Sequence, residues 1–277
     1  MKKLSIAIID TYPNKNLATL ALTMASRLPN INKIYTFSDL PYYPGAEFVQ
    51  VPIIKSNNSY GEIALKLLPR FIEDEYVLVI QWDGFPLFPQ NWNPQFFDYD
   101  FIGAPVLQKS SGGIDWVGNG GFSLRSQKLL QAIERLNIGI ENTNQDDQPE
   151  DAIICIRNKF ALEEEGVIFA PIDVASQFSY QAGNIPNKIL GFHSIDNLPI
   201  FFSENELVPI ANEIVERIFQ PTMLLRYLEV CMKRNYLSLF KESVSNYEKK
   251  PNLCKAIHIE QRVNPRGGFL ELIKRFN

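Results

Sequence analysis

Three polar clusters in this chain fall where an apolar run ends or a helix begins. They are Gln81-Trp82-Asp83-Gly84, Trp116 to Arg125, and Glu150-Asp151, with His193 as a later singleton. The first cluster follows Tyr76–Ile80, a short β-branched apolar run of the kind that forms a strand covered on both faces. The acids Glu73, Asp74 and Glu75 before it read as a solvated entry, and Gly84 and Pro86 as its close. Gln81, Trp82 and Asp83 are therefore expected at the carboxyl edge of a sheet, where open α/β folds place their ligands. A carboxylate there either holds a divalent metal against a nucleotide diphosphate or caps its own loop. This stretch alone leaves both readings open.

The surrounding elements must carry these clusters. Leu4–Ile9 is a compact apolar strand ending at Asp10-Thr11-Tyr12-Pro13, and Asn16–Leu28 shows helical spacing through Leu17, Leu20, Ala21, Met24 and Leu28. Ile31–Phe37 supplies a second strand ending in Ser38-Asp39, and Glu47–Ile54 a third. Ser59 is placed to cap a helix over Tyr60–Phe71, with Glu62 at the capping-box position. The resulting β-α-β-β-α-β run with short connections is the pattern of a layered α/β domain. Beyond it, Phe101–Pro105 reads as a short strand, Lys109–Gly121 as a glycine-rich loop and Ser126–Leu136 as an amphipathic helix. Ile138–Gln148 reads as a polar segment. Pro149-Glu150-Asp151 opens a helix over Ala152–Phe160, with its acids in the first turn where the macrodipole favours them. Gly166–Pro171 is a further strand, and Gly191-Phe192-His193 lies in a return between glycine, asparagine and proline residues. From about Asn205, apolar residues recur at helical spacing through Val208–Phe219 and Thr222–Phe240. The expected organisation is an α/β domain over residues 1–203 and a helical appendage over 204–277.

Composition narrows the function classes. The chain has 277 residues, 45% hydrophobic, enough for a substantial core. Cys155, Cys231 and Cys254 are an odd number with no close pair spacing, which suggests neither a disulfide framework nor a zinc site. The N-terminal apolar run is broken by Asp10 and Pro13, too soon for an export signal or a membrane span, so a cytoplasmic protein is expected. Residues 1–221 carry 16 Lys+Arg against 26 Asp+Glu, and residues 222–277 carry 11 against 5. The acidic body argues against a nucleic-acid partner. The basic tail either contacts anionic lipid at the membrane periphery or an acidic partner, or is a solvated helical surface. No GxGxxG opens a helix after a strand, and neither a P-loop pattern nor the GxSxG of a nucleophile elbow occurs. Cys155 falls in an apolar helical run and reads as core, and His258 sits in the basic tail with no partner the sequence specifies.

In order along the chain, QWDG, FDYDFIGAP, WVGNGGFSLRS, ED at a helix start and GFH resemble a glycosyltransferase-like family of otherwise unknown function, itself similar to the GT-A class of nucleotide-sugar-dependent transferases. The likeness spans roughly residues 4–195, and the combination of NGGFSLRS with ED carries most of its specificity. It implies a GT-A-like layered mixed sheet flanked by helices. It also implies transfer of a monosaccharide from a nucleoside-diphosphate sugar, a UDP-sugar favoured, to a glycan or lipid-linked acceptor hydroxyl, with Mn²⁺ or Mg²⁺ as cofactor. GT-A enzymes usually carry Asp-x-Asp at the end of the relevant strand. Here Gln81 replaces the first acid, so it brings hydrogen-bonding capacity without charge. The resemblance makes Asp83 the metal ligand and His193 a second, a role imidazole suits for Mn²⁺. Without the resemblance His193 is an ordinary turn histidine.

The resemblance further implies Asp151 as the base that takes the acceptor proton in an inverting transfer, with Glu150 binding acceptor hydroxyls. A helix N-terminus stabilises an ionised acid and weakens it as a base, so burial would have to offset the dipole. Two first-turn acids that merely stabilise a helix are the competing account. Trp116 with Asn119, Gly120 and Gly121 offers a sugar cradle, an indole face beside glycines that admit backbone N–H groups, or else a core tryptophan beside a tight turn. Arg125 pairs either with a diphosphate or with an inward acid such as Asp115. Thr11, Tyr12 and Asp39 take the donor base and ribose by analogy, beside Gln81, Trp82 and Asp83. Two rival functions remain. One is a sugar nucleotidyltransferase, although Asp10–Asn16 lacks the glycines of a phosphate loop. The other is a non-catalytic carbohydrate- or nucleotide-binding protein on a transferase scaffold.

Overall fold

The computed structural model describes residues 2–106, 116–140 and 147–248. Asp115, Cys254, His258, most of the Lys109–Gly121 loop and most of the basic tail fall outside them. The chain divides into two compact units, Met1–His193 and Ser194–Asn277.

The first unit is built on a six-stranded mixed sheet. Its strands are β1 (Leu4–Ile9), β2 (Ile31–Ser38), β3 (Glu47–Gln50), β4 (Tyr76–Ile80), β6 (Phe101–Val106) and β7 (Trp116–Ser126), in the order β3-β2-β1-β4-β7-β6. β1 to β4 are mutually parallel, whereas β7 runs antiparallel to both β4 and β6. A second sheet of three short strands sets β5 (Gly84–Pro86) antiparallel to β9 (Gly191–His193), which in turn pairs in parallel with β8 (Ser179–Tyr180). All residues of β1 and β4 are buried, which is why their sequences are unbroken apolar runs with no alternation. One core cluster packs Ala7, Phe37, Val79 and Leu68 on one side of the sheet; a second gathers Phe101, Leu129, Ile133 and Ile154. The α/β class expected from the sequence is the observed one.

Several local expectations are corrected. Ser56, and not Ser59, caps the helix Asn57–Glu62; Ser59 is its reciprocal partner, and its hydroxyl accepts from the Ser56 N–H at 3.0 Å. That helix then widens into a π-turn over Ile63–Leu67 before Leu68–Phe71, because Pro69 has no N–H to donate back along an α-helix. Asp74 is buried, not solvated: it accepts from Ser5 Oγ at 2.5 Å and from Asn32 Nδ2 at 2.8 Å. Pro105 lies inside β6, at a register irregularity, and does not end it. The Asn119-Gly120-Gly121 segment is strand interior, within the eleven residues of β7. Its glycines admit the side chains of neighbours. They do not make a turn. Gly166–Pro171 forms only an isolated bridge, Phe101 to Phe169. Leu136, at the end of the expected amphipathic helix, is its C-cap and is exposed.

In the second unit, helices Ala211–Arg217, Pro221–Lys233 and Leu237–Glu248 enclose Ile214, Leu224, Tyr227 and Leu239. Asn235, at φ 59°, breaks the helical run expected over Thr222–Phe240, a left-handed conformation asparagine tolerates. The short helix Leu198–Phe201 packs on Pro221–Lys233, so residues from Ser194 onward belong with this unit.

Candidate functional site

Parallel pairing brings the carboxyl ends of β1, β2 and β4 to one edge of the main sheet, with Ile8 opposite Ile80 and Ile9 opposite Phe37. At the end of β4 the chain reverses at once. Gln81 and Gly84 exchange backbone hydrogen bonds at 2.9 and 3.1 Å, leaving Trp82 and Asp83 as the two central residues of a tight turn. Asp83 is 5% exposed. The turn feeds β5, whose Gly84 lies directly across from His193 in β9. His193 Nε2 stands 3.5 Å from Gln81 Oε1. A Cβ on Gly121 would overlap both side chains, so glycine at this point of β7 is what lets Gln81 and His193 meet.

Because β7 is antiparallel and long, it runs past the end of β4. Phe122 pairs with Ile80, and Trp116 to Gly121 extend beyond that level. There the helix start Glu150–Ala152 meets the strand. The Gly120 N–H donates to Asp151 Oδ2 at 3.1 Å, and the Ala152 N–H donates to Asp151 Oδ1 at 2.7 Å. The Gly120 carbonyl accepts from Ser123 Oγ at 2.9 Å and from Arg125 Nη2 at 3.4 Å. Arg125 is fully buried and pairs with Glu150 Oε1 at 2.8 Å. A Cβ on Gly120 would overlap Glu150 Oε1. Burial, reinforced by the charge of Glu150, pushes the Asp151 carboxyl up to about 6, against the two backbone N–H groups and Arg125, which act the other way. The offset that an acid at a helix start needs to become a base is thus present.

Tyr60, on the helix Asn57–Glu62, completes this cluster. Its hydroxyl is buried, with the Gln81 side chain beside it. Burial, then the charge of Glu150, pushes it well above the usual phenol range, and Gln81 and Arg125 act in the opposite sense. The Trp116 ring lies over Gly118, with Cys155 Cβ also beside that glycine. Asn119 Oδ1 accepts from the Gly121 N–H at 2.9 Å.

Farther along the same edge a second group forms. Lys15 Nζ reaches the Asp10 carbonyl at 2.9 Å, Asp10 Oδ1 at 3.4 Å and Asp39 Oδ1 at 3.1 Å. Burial alone would raise the Asp39 carboxyl, but the hydrogen bond and charge of Lys15, with Ser38 and the backbone, outweigh it and hold it below the usual range. Thr11 Oγ1 accepts from the Ile54 N–H at 2.8 Å, and the Tyr12 N–H donates to Asp10 Oδ1 at 2.9 Å.

The structure therefore brings together, around one sheet edge, Gln81 and Asp83 in the turn after β4, Gly120 and Gly121 of β7, His193 of β9, and Glu150 and Asp151 of the helix start Glu150–Ala152. Thr11, Tyr12 and Asp39 follow the ends of β1 and β2 at that same edge, in a network of their own. Arg125 takes Glu150 as its partner. Among the described residues no group of three or more acidic, histidine or cysteine side chains is placed to share a metal ion. Sequence reasoning overlooked Lys15 and Tyr60. Lys15 is one of three cations between Asp10 and Asp39, and only the pairing of β1 with β2 shows that it reaches both acids; the helix of Tyr60 gives no hint that its hydroxyl turns toward Glu150.

Among solved structures, the glycosyltransferase GlyE of Streptococcus pneumoniae in its apo form is similar at 17% identity and TM-score 0.46, over 71% of this chain and 56% of that one. This chain thus spans little more than half of GlyE's length. The galactosyltransferase LgtC, in complex with donor and acceptor sugar analogues, gives 14% identity and TM-score 0.44 over 68% and 86%. The mannosyltransferase PcManGT of Pyrobaculum calidifontis, in complex with GDP-Man and Mn²⁺, gives 11% and 0.42 over 91% and 75%. No residue role is transferred from likenesses this distant. No curated protein matches the chain. Residues 46–193 match the model of a family described as a protein of unknown function, DUF5672, and that stretch holds Asp83, Gly120, Glu150, Asp151 and His193. It covers more than half of the chain, which belongs to this family.

Proposed function

We propose that the chain is a glycosyltransferase of GT-A type, moving a monosaccharide from a nucleoside-diphosphate sugar, first of all a UDP-sugar, to an acceptor hydroxyl. Its transferase domain would be the first compact unit and the helical appendage the second. One observation supports this reading above the rest: through adjacent glycines, β7 sets Gly121 against Gln81 and His193, beside the turn that carries Asp83, and Gly120 against Asp151, a carboxyl raised to about 6. A group that ionises near neutrality suits proton removal from a hydroxyl.

In this mechanism the acceptor hydroxyl loses its proton to Asp151 as its oxygen bonds to the anomeric carbon. The bond from that carbon to the diphosphate breaks, and the electron pair leaves with the diphosphate. Attack opposite the leaving group inverts the anomeric centre. A hard or borderline divalent ion would be held at the β4 end by one carboxylate, Asp83, and by His193, which pairs with the neighbouring Gly84 and stands against the Gln81 amide. Two protein ligands leave most of a coordination shell to phosphate oxygens and water, the usual way a nucleotide-bound Mg²⁺ or Mn²⁺ is held. When bound, such an ion supplies charge neutralisation for the departing diphosphate. Thr11, Tyr12 and Asp39 would face the nucleoside, and Trp116 the sugar.

The test is nucleotide-sugar hydrolysis with and without Mn²⁺, comparing the wild-type chain with Asp83→Ala. Metal-dependent release that the substitution lowers about 100-fold or more is expected for removal of a charge-bearing ligand. Nucleotide binding without turnover across a panel of donors and acceptors would favour a non-catalytic binding protein instead.

A further inference from the structure

The Arg125–Glu150 pair has more structure around it than a simple ion pair needs. Arg125 is 0% exposed and is held at three points: Nε on Ser123 Oγ at 3.0 Å, Nη2 on the Gly120 carbonyl at 3.4 Å, and Nη2 on Glu150 Oε1 at 2.8 Å. Gly120 is thereby gripped at its carbonyl, while its N–H, in the adjoining peptide, donates to Asp151. A buried ion pair contributes little net stability compared with apolar packing, so its retention calls for another use. Glu150 is also a poor acceptor-binding residue here, since it is 5% exposed with one oxygen committed to Arg125.

We propose that Arg125 and Glu150 are positioning residues for Asp151: through Gly120 they fix where its carboxylate sits, and their opposed charges set the pH at which it takes up a proton. The groups facing Asp151 are Glu150 and Cys155 from its own helical segment, Arg125 from β7 and Tyr60 from the helix Asn57–Glu62. Burial raises both the Cys155 thiol and the Tyr60 hydroxyl, so each stays neutral around pH 7. Charge control of Asp151 among the described residues then falls to Glu150, which raises it, and Arg125, which lowers it. Burial keeps the carboxyl high, and the pair trims the result. That Asp151 serves as a base rests on the function proposed above; its titration does not.

The test is a direct ¹³C-carboxyl NMR titration of Asp151 in the full chain. Glu150→Gln removes the like charge and leaves Arg125 uncompensated, so the Asp151 midpoint should fall by about one pH unit or more. Glu150→Asp keeps a carboxylate and should leave the midpoint raised. If Glu150→Gln does not fold, the Arg125→Gln/Glu150→Gln double variant leaves no unpaired charge and should still lower the midpoint, by less. An unmoved midpoint in a folded variant that lacks the Glu150 charge would overturn the proposal, whatever the activity. If the midpoint moves and the acid limb of kcat/KM does not follow it, positioning stands and the role of Asp151 as base fails.

Discussion

At the scale of single residues the account turns on Asp151. Its carboxyl is raised because burial and the neighbouring Glu150 disfavour the charged form. Activity that needs the ionised form should therefore rise with pH through about 6 and level off above it. Asp151→Asn should abolish this limb and lower kcat by about 100-fold or more, with donor affinity little changed. Stability supplies a readout that needs no substrate. A carboxyl with a folded-state pKa above its unfolded value favours folding while protonated, below about pH 4. That contribution is lost as pH rises through about 6. The stability of wild type relative to Asp151→Asn should therefore drop by about 2 kcal/mol between pH 4 and pH 7. Denaturant melts of both proteins across that range would check the figure. A difference that is flat with pH would mean the carboxyl is not perturbed.

At the scale of elements, β7 is the piece that makes a site out of separate strand ends. Glycines in β7 and in its neighbour β6 serve two purposes. A Cβ on Gly103 of β6 would run into the Asn119 carbonyl oxygen, which is backbone and cannot yield, so Gly103→Ala should destabilise the fold by about 2–4 kcal/mol. The atoms nearest a Cβ on Gly121 belong to the Gln81 and His193 side chains. Gly121→Ala should cost less than about 1 kcal/mol and yet weaken nucleotide-diphosphate binding about tenfold or more by pushing those two groups aside. Thermal melts set beside binding titrations separate the two effects. If Gly121→Ala binds as wild type does, Gln81 and His193 have no part in the site. β7 was also where the sequence misled most. Clustered glycines are an ordinary loop signal, and nothing local reveals that the side chains of Gln81, His193 and Glu150 fill the space they leave. β1 and β4 were legible because full burial writes itself as an apolar run, and the helix Gln127–Arg135 because one face alone is buried, with Ser126 accepting from the Leu129 N–H at 3.1 Å. The turn at Gln81–Gly84 was legible in place but not in shape, since its pairing partner β9 lies more than a hundred residues on.

At the scale of the molecule, the family match and the first compact unit both end at His193, the residue that closes the small sheet against Gly84. The candidate site lies where two sheets of one unit meet, at the ends of β4, β5, β7 and β9. Thr11, Tyr12 and Asp39 fall outside the matched stretch, although their strands border the same edge. Their network with Lys15 and Asp10 was beyond the sequence because it needs β1 and β2 side by side. Among the described residues no helix is long and apolar enough to cross a membrane. The most direct measurement of the central claim is calorimetric titration of UDP, and then GDP, into the full chain with and without Mn²⁺, for wild type and Asp83→Ala. The account predicts binding of at least one diphosphate that requires the metal and is lost on replacing Asp83. Metal-independent binding that survives the substitution, or no binding of either nucleotide to the wild-type chain, would contradict it.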